Sequence, residues 1–246
     1  MRAADRPEEV EALDRRYREA CQKAEERSCR AVLAEFEEAL LSSEAVMAVS
    51  LDLVDKMLAS GNELLTTYYQ LVGAESRLPG DEWDAQRRLA DEALFPGYKE
   101  KIRFAALSLT GIGLPSYGDC YLVLRDTMIA HRATVFAENS LLFAEEHGYR
   151  IPVGYRAPWK ERAKVAVAKL AEALEPDTPV ERFPSILMTA GPSKLTDRFV
   201  EVHIWGPMSI GSISRIVLPR GHGSGVIRRA LRRRFFQSGI SVELEA

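Results

Sequence analysis

Glu201 and His203 stand two residues apart in the run Phe199-Val200-Glu201-Val202-His203-Ile204-Trp205. In a strand, successive side chains alternate between faces, so Glu201 and His203 share one face with Phe199 and Trp205, while Val200, Val202 and Ile204 take the other. A carboxylate projecting between aromatic rings is suited to orient a ribose hydroxyl and to stabilise an oxocarbenium-like centre, the electrostatic demand of breaking a nicotinamide–ribose bond. An adjacent imidazole could hydrogen-bond that carboxylate or exchange a proton. The plain structural account of the same pattern is an exposed strand face carrying a Glu-x-His pair.

A second chemical stretch runs from Tyr117-Gly118-Asp119-Cys120-Tyr121 through Arg132-Ala133-Thr134 to Asn139-Ser140. A turn, a buried strand and a polar connection would present Arg132, Thr134, Asn139 and Ser140 near a strand end. A bidentate guanidinium and hydroxyl donors there could hold phosphate or an amide-bearing ligand. Asn139 and Ser140 equally suit the N-cap of a helix from Leu141 to Glu146. A third stretch is basic: Arg220, Arg228, Arg229, Arg232, Arg233 and Arg234, followed by Phe235 and Phe236. On a helix Arg228 and Arg232 align, as do Arg229 and Arg233, with Ile227, Leu231 and Phe235 on the inner face. The outer arginines could meet phosphates or an acidic partner, or simply be solvated.

Other chemistries lack their signatures. The chain has no GxxxxGK[ST], GxGxxG, HExxH or GxSxG sequence and no paired-cysteine zinc pattern, which argues against kinases, dinucleotide dehydrogenases and zincins. His131, His147, His203 and His222 are far apart in sequence, so no metal site is expected. Cys21, Cys29 and Cys120 form no CxxC pair and read as reduced, partly buried thiols of a cytosolic fold. Thirty-three Lys and Arg against 36 Asp and Glu give a net charge of -3, which supplies no bulk attraction to nucleic acid or anionic membrane. No apolar leader follows Met1 and no run approaches a membrane span, so the expectation is a cytoplasmic protein, or one exported without a cleavable signal peptide.

The elements that must position these residues follow from periodicity. Apolar residues from Val10 to Leu40 recur at threes and fours and predict one amphipathic helix from Glu8 to about Leu41. Ser42-Ser43 offers an N-cap to a second helix reaching Leu71, and the two make an antiparallel hairpin over residues 1–78. A short polar helix from Asp81 to Leu94 acts as linker or brace within 79–98. Beyond it, over 99–246, Ile102–Leu109 shows short apolar runs, strands are expected at Cys120–Leu124, Ala133–Phe136, Phe199–Trp205, Ser212–Leu218 and Ile240–Leu244, and helices at Trp159–Leu174 and Ser224–Phe236. The fold class is α+β: an N-terminal helical hairpin followed by a mixed domain.

The order of the blocks Arg103-Phe104-Ala105-Ala106-Leu107-Ser108-Leu109, Tyr117-Gly118-Asp119-Cys120-Tyr121-Leu122, Arg132-Ala133-Thr134 with Asn139-Ser140, and Val200-Glu201-Val202-His203-Ile204-Trp205-Gly206 resembles an uncharacterised bacterial family. Its blocks in turn look like those of mono-ADP-ribosyltransferase-like toxin domains fused to phage head proteins or polymorphic toxins. The resemblance spans roughly residues 95 to 246. It implies an ADP-ribosyltransferase-like fold and NAD as the substrate cleaved. It further implies a nucleotide-binding face with Gly118, Tyr121, Arg132, Thr134, Asn139 and Ser140, and Glu201 as the acidic catalytic residue with His203 beside it. Asn139 stands where the family pattern has Asp, His203 where it has Gln, and Trp205 where it has His. The acceptor of the ADP-ribose would be a protein or nucleic acid. Two other readings stand beside this one. The first is a non-enzymatic interaction protein whose helical hairpin docks a partner; the second is a nucleic-acid binder or nuclease using His131, His203 and the arginine helix.

Overall fold

Pro7 at the first helical position and Glu8 and Glu9 in the first turn start helix α1 (Pro7–Glu26) in the computed structural model, which describes residues 3–51, 53–54, 82–221, 224–235 and 239–245. The single helix expected from Glu8 to Leu41 is instead two, α1 and α2 (Arg30–Leu41). The break is at Ser28, whose φ of 60° is left-handed, and it turns Cys29 into the core. The apolar spacing carries on across this turn, which is why periodicity alone does not reveal it. Both helices pack on α6 (Arg162–Leu170). Phe36 and Leu40 are fully buried in that layer, each contributing about 1.5–3 kcal/mol by area.

The helix expected to begin at Ser42 is replaced by strand β1 (Glu44–Val49). Ser42 and Ser43 turn back instead, donating their hydroxyls to the carbonyls of Ala39 (2.8 Å) and Leu40 (2.6 Å) at the end of α2. They close one helix rather than open another. Residues 52 and 55–81, which hold most of that expected helix, lie outside the described residues.

The remaining elements are α3 (Glu82–Leu94), β2 (Ile102–Ser108), β3 (Cys120–Leu124), α4 (Asp126–Ile129), β4 (Ala133–Phe136), α5 (Ser140–His147), β5 (Arg156–Pro158), α6, α7 (Phe183–Leu187), β6 (Met188–Thr189), β7 (Arg198–Phe199), β8 (Glu201–Trp205), β9 (Ile213–Leu218), α8 (Ser224–Phe235) and β10 (Ser241–Leu244). Eight strands form one sheet in the order β10-β9-β3-β1-β2-β8-β4-β5, and β6 pairs with β7. All pairs in the large sheet are antiparallel except β9 with β10, whose parallel return is made through α8. The fold is thus α+β with an N-terminal helix pair and a mixed eight-stranded sheet. β1 lies between β2 and β3, so the range 1–78, expected as a helical hairpin, supplies a central strand of that sheet.

One face of the sheet, with Leu107, Leu122, Val202, Ile204 and Ile216, buries against the layer of α1, α2 and α6. The other is covered over β2, β8 and β4 by α3 and α5: Leu94, Phe95 and Phe143 meet Ile102 and Phe136, and Ala90 meets Leu141 and Ala144. The short polar helix is therefore a brace laid on the sheet. Glu9 fastens α1 to the far edge, accepting from the Gly154 N–H and from Arg156 Nε, both at 2.6 Å.

Candidate functional site

The register sets Glu201 opposite Ala106 on β2 and Phe136 on β4, and His203 opposite Phe104 and Thr134. The expected alternation holds: both polar residues lie on the face under α3 and α5, with Val202 and Ile204 on the other. The face is closed, however, because Glu201 and His203 are only 2% and 3% exposed.

Helix α3 brings Arg87 and Asp91, one turn apart, onto this face together with Ala90 and Leu94. The Arg87 guanidinium lies 3.6 Å from the centre of the Phe104 ring. It donates from Nε to Asp91 Oδ2 (3.0 Å) and from Nη1 to Glu201 Oε1 (3.3 Å), and its Nη2 makes an ion-pair contact with Asp91 Oδ1 at 2.8 Å. The second Glu201 oxygen accepts the Ser140 N–H at 3.1 Å and lies 2.9 Å from His203 Nε2. Ser140 opens α5, so Glu201 also sits at the positive end of a helix. Asn139 is the N-cap, accepting from the Leu141 N–H (3.1 Å) and donating to the carbonyls of Lys194 (2.9 Å) and Asp197 (2.8 Å). The His203 ring stacks with Phe136 and meets Phe95 and Phe104 edge-on.

Burial disfavours a charge on Glu201, but Arg87, His203 and the Ser140 N–H outweigh it and hold the carboxyl at about 2. Arg87 is pushed up by Asp91 and Glu201 against its own burial. Tyr117 is pushed up by burial and then by the Glu201 charge. With Glu201 ionised, the 2.9 Å contact makes His203 Nε2 the donor. The Ser140 hydroxyl is buried with no hydrogen-bond partner among the described residues. The arrangement is a dry, fixed negative charge, poised to stabilise a cation and here facing a guanidinium.

The other residues expected at the site divide. Ser140 and Asn139 are at the Glu201 end of β4, and Thr134 is half-buried across from His203. Arg132 is at the other end of that strand, where it donates to the carbonyls of Met128 (2.8 Å), Trp205 (3.1 Å) and Pro207 (2.5 Å). Gly118 and Tyr121 belong to the β3 side of the sheet, and three strand spacings separate β3 from β8, about 14 Å. Tyr121 is buried with Val46, Val123 and Val217. Gly118 is set against the Val49 backbone, which a Cβ would overlap.

Arg87, Asp91 and Tyr117 escape a reading of the sequence as site residues. The available signal was the i, i+4 spacing of Arg87 and Asp91 beside Ala90 and Leu94, an inner face with a charge pair in it. Among the described residues no group of three His, Cys, Asp or Glu side chains could hold a metal ion, and no helix is long and apolar enough to cross a membrane. No protein-family model and no curated protein matches the chain.

Proposed function

We propose that the protein is an NAD-cleaving enzyme of the mono-ADP-ribosyltransferase type, with Glu201 as its catalytic carboxylate and Arg87 closing the site. The reading is supported by one observation above the others: Glu201 is buried yet ionised, fixed by the α5 N-terminus and His203. A charge preorganised in this way favours a cationic ribosyl carbon. In the reaction the bond from that carbon to nicotinamide breaks, and nicotinamide leaves with the electron pair. A nucleophile on the acceptor then bonds to the same carbon and gives up its proton. Arg87 holds the place beside Glu201 where that cation would form, so α3 must withdraw for NAD to enter. Arg132, at the other end of β4, is outside the reacting centre and serves at most the distal part of the nucleotide.

A second reading, a non-enzymatic protein in which this network is a structural keystone, draws on a different observation. Arg132, Asn139 and Gly118 are all spent on internal contacts. Its partner-docking helices are less supported, since the apolar faces of α1 and α2 are buried on α6.

The two are separated by incubating the full chain with NAD labelled in its nicotinamide, with and without lysate as acceptor source. The enzyme reading expects nicotinamide release that Arg87→Met increases and Glu201→Gln lowers by about a hundred- to a thousandfold. No release from folded wild type or folded Arg87→Met at millimolar NAD would overturn it in favour of the keystone reading.

A further inference from the structure

At the opposite end of the sheet, five strand spacings from β8 and so about 24 Å away, a groove of about 530 Å³ opens between α8 and the edge strand β10. Arg220, Arg228 and Arg232 line it together with residues 241–244. The sequence makes this arrangement directly. Leu231 and Phe235 anchor α8 in the core, which leaves Arg228 and Arg232, one turn apart, facing out toward β10.

Three features give the groove a chemistry. The Nε atom of Arg228 is buried and has no hydrogen-bond partner among the described residues. A buried donor without an acceptor is uncommon in folded proteins and marks a place where an acceptor can come from outside. The one carboxylate in the lining, Glu243, is occupied elsewhere: it accepts from the Ser241 hydroxyl at 2.9 Å and lies 3.5 Å from Arg215 Nε. Arg220 is pinned at the rim by a 2.6 Å bond from its Nε to the Glu245 carbonyl. Three guanidinium groups thus converge with little internal counter-charge, on a chain whose net charge is -3.

We infer that this groove binds a small molecule carrying two or more linked phosphates. Guanidinium forks match phosphate oxygens in pairs, and the volume is that of a small-ligand pocket. Among the described residues the lining contains no aromatic ring on which a base could stack, so the groove reads the phosphates. Nucleic acid is the less favoured occupant, because a chain of net charge -3 lacks a broad basic field and the described lining lacks stacking rings.

The test is calorimetric titration of the full chain with inorganic pyrophosphate, at low and at physiological salt. Wild type is expected to bind, more weakly as salt rises. Arg228→Gln and the exposed Arg232→Gln should each weaken binding about tenfold or more, with unchanged melting temperature for Arg232→Gln. Glu201→Gln and Arg30→Gln should bind as wild type does, which keeps this result independent of any NAD chemistry at Glu201. Absence of binding at millimolar pyrophosphate overturns the inference. So does equal affinity in wild type and both arginine variants, or a single-stranded oligonucleotide binding a hundredfold more tightly than pyrophosphate.

Discussion

Replacing Arg87 by Met tests the charge network under α3 most directly. The substitution keeps much of the apolar contact with Phe104 and removes the cation that faces two carboxylates, Asp91 at 2.8 Å and Glu201 at 3.3 Å, all three groups at most 5% exposed. Removing one partner of a buried ion pair costs about 3–5 kcal/mol, because the carboxylates left behind lose their buried counter-charge and are not resolvated. For a chain of this size each kcal/mol is about 2–4 °C in melting temperature, so a fall of roughly 6–20 °C is expected at pH 7. The pH dependence carries the sign. Glu201 sits at about 2 in the folded chain against an ordinary 4.5, so the stability it contributes is complete above pH 4.5 and lost as pH falls toward 2, roughly 3 kcal/mol in all. Without Arg87, burial raises the Glu201 pKa, the carboxyl takes up a proton at milder pH, and the penalty of the substitution shrinks between pH 7 and pH 4. Urea unfolding of both proteins across that range measures it. A penalty below 1 kcal/mol at pH 7, or one that stays constant down to pH 4, refutes the reasoning.

One further substitution and one labelling outcome follow from the same packing. Gly118→Ala should destabilise by about 1–3 kcal/mol, since the added Cβ overlaps the Val49 backbone of β1, and should leave pyrophosphate binding unchanged; a stability equal to wild type in urea would show that the turn yields freely. At pH 8 a thiol reagent should modify half-buried Cys21 first. Cys120, pushed up to about 12 by burial and then by Asp119, and buried Cys29 should react only when the chain unfolds; equal rates for Cys21 and Cys120 would contradict the packing of β3.

Where local pattern and burial agree, the sequence was legible. Cys120–Leu124, Ala133–Phe136 and the β8 alternation are strands as read, and Asn139 caps α5 as its side chain suggests. Glu44-Ala45-Val46-Met47-Ala48-Val49 was not, because β1 is flanked by strands on both sides and covered on both faces. A short run that is apolar at every position after Glu44 has no polar phase to betray its period, and a pair of serines before it reads as a cap in either direction. The pairing of Glu201 with His203 could be read from strand geometry alone. Its counter-charge could not, since Arg87 lies more than a hundred residues earlier and nothing local says which face of α3 meets the sheet.

The place of β1 also sets a schedule. Its hydrogen-bonding partners, Ala106–Ser108 and Cys120–Val123, come about 60 to 75 residues later in the chain. At a synthesis rate of about 5–20 residues per second, β1 waits on the order of 3–12 s before its first neighbour exists. Through that interval α1, α2 and β1 have neither α6 nor the sheet to cover their apolar sides. The early chain is therefore a client for whatever holds nascent hydrophobic segments, and refolding in a tube must close the centre of the sheet through the same long loops before the rest can pack.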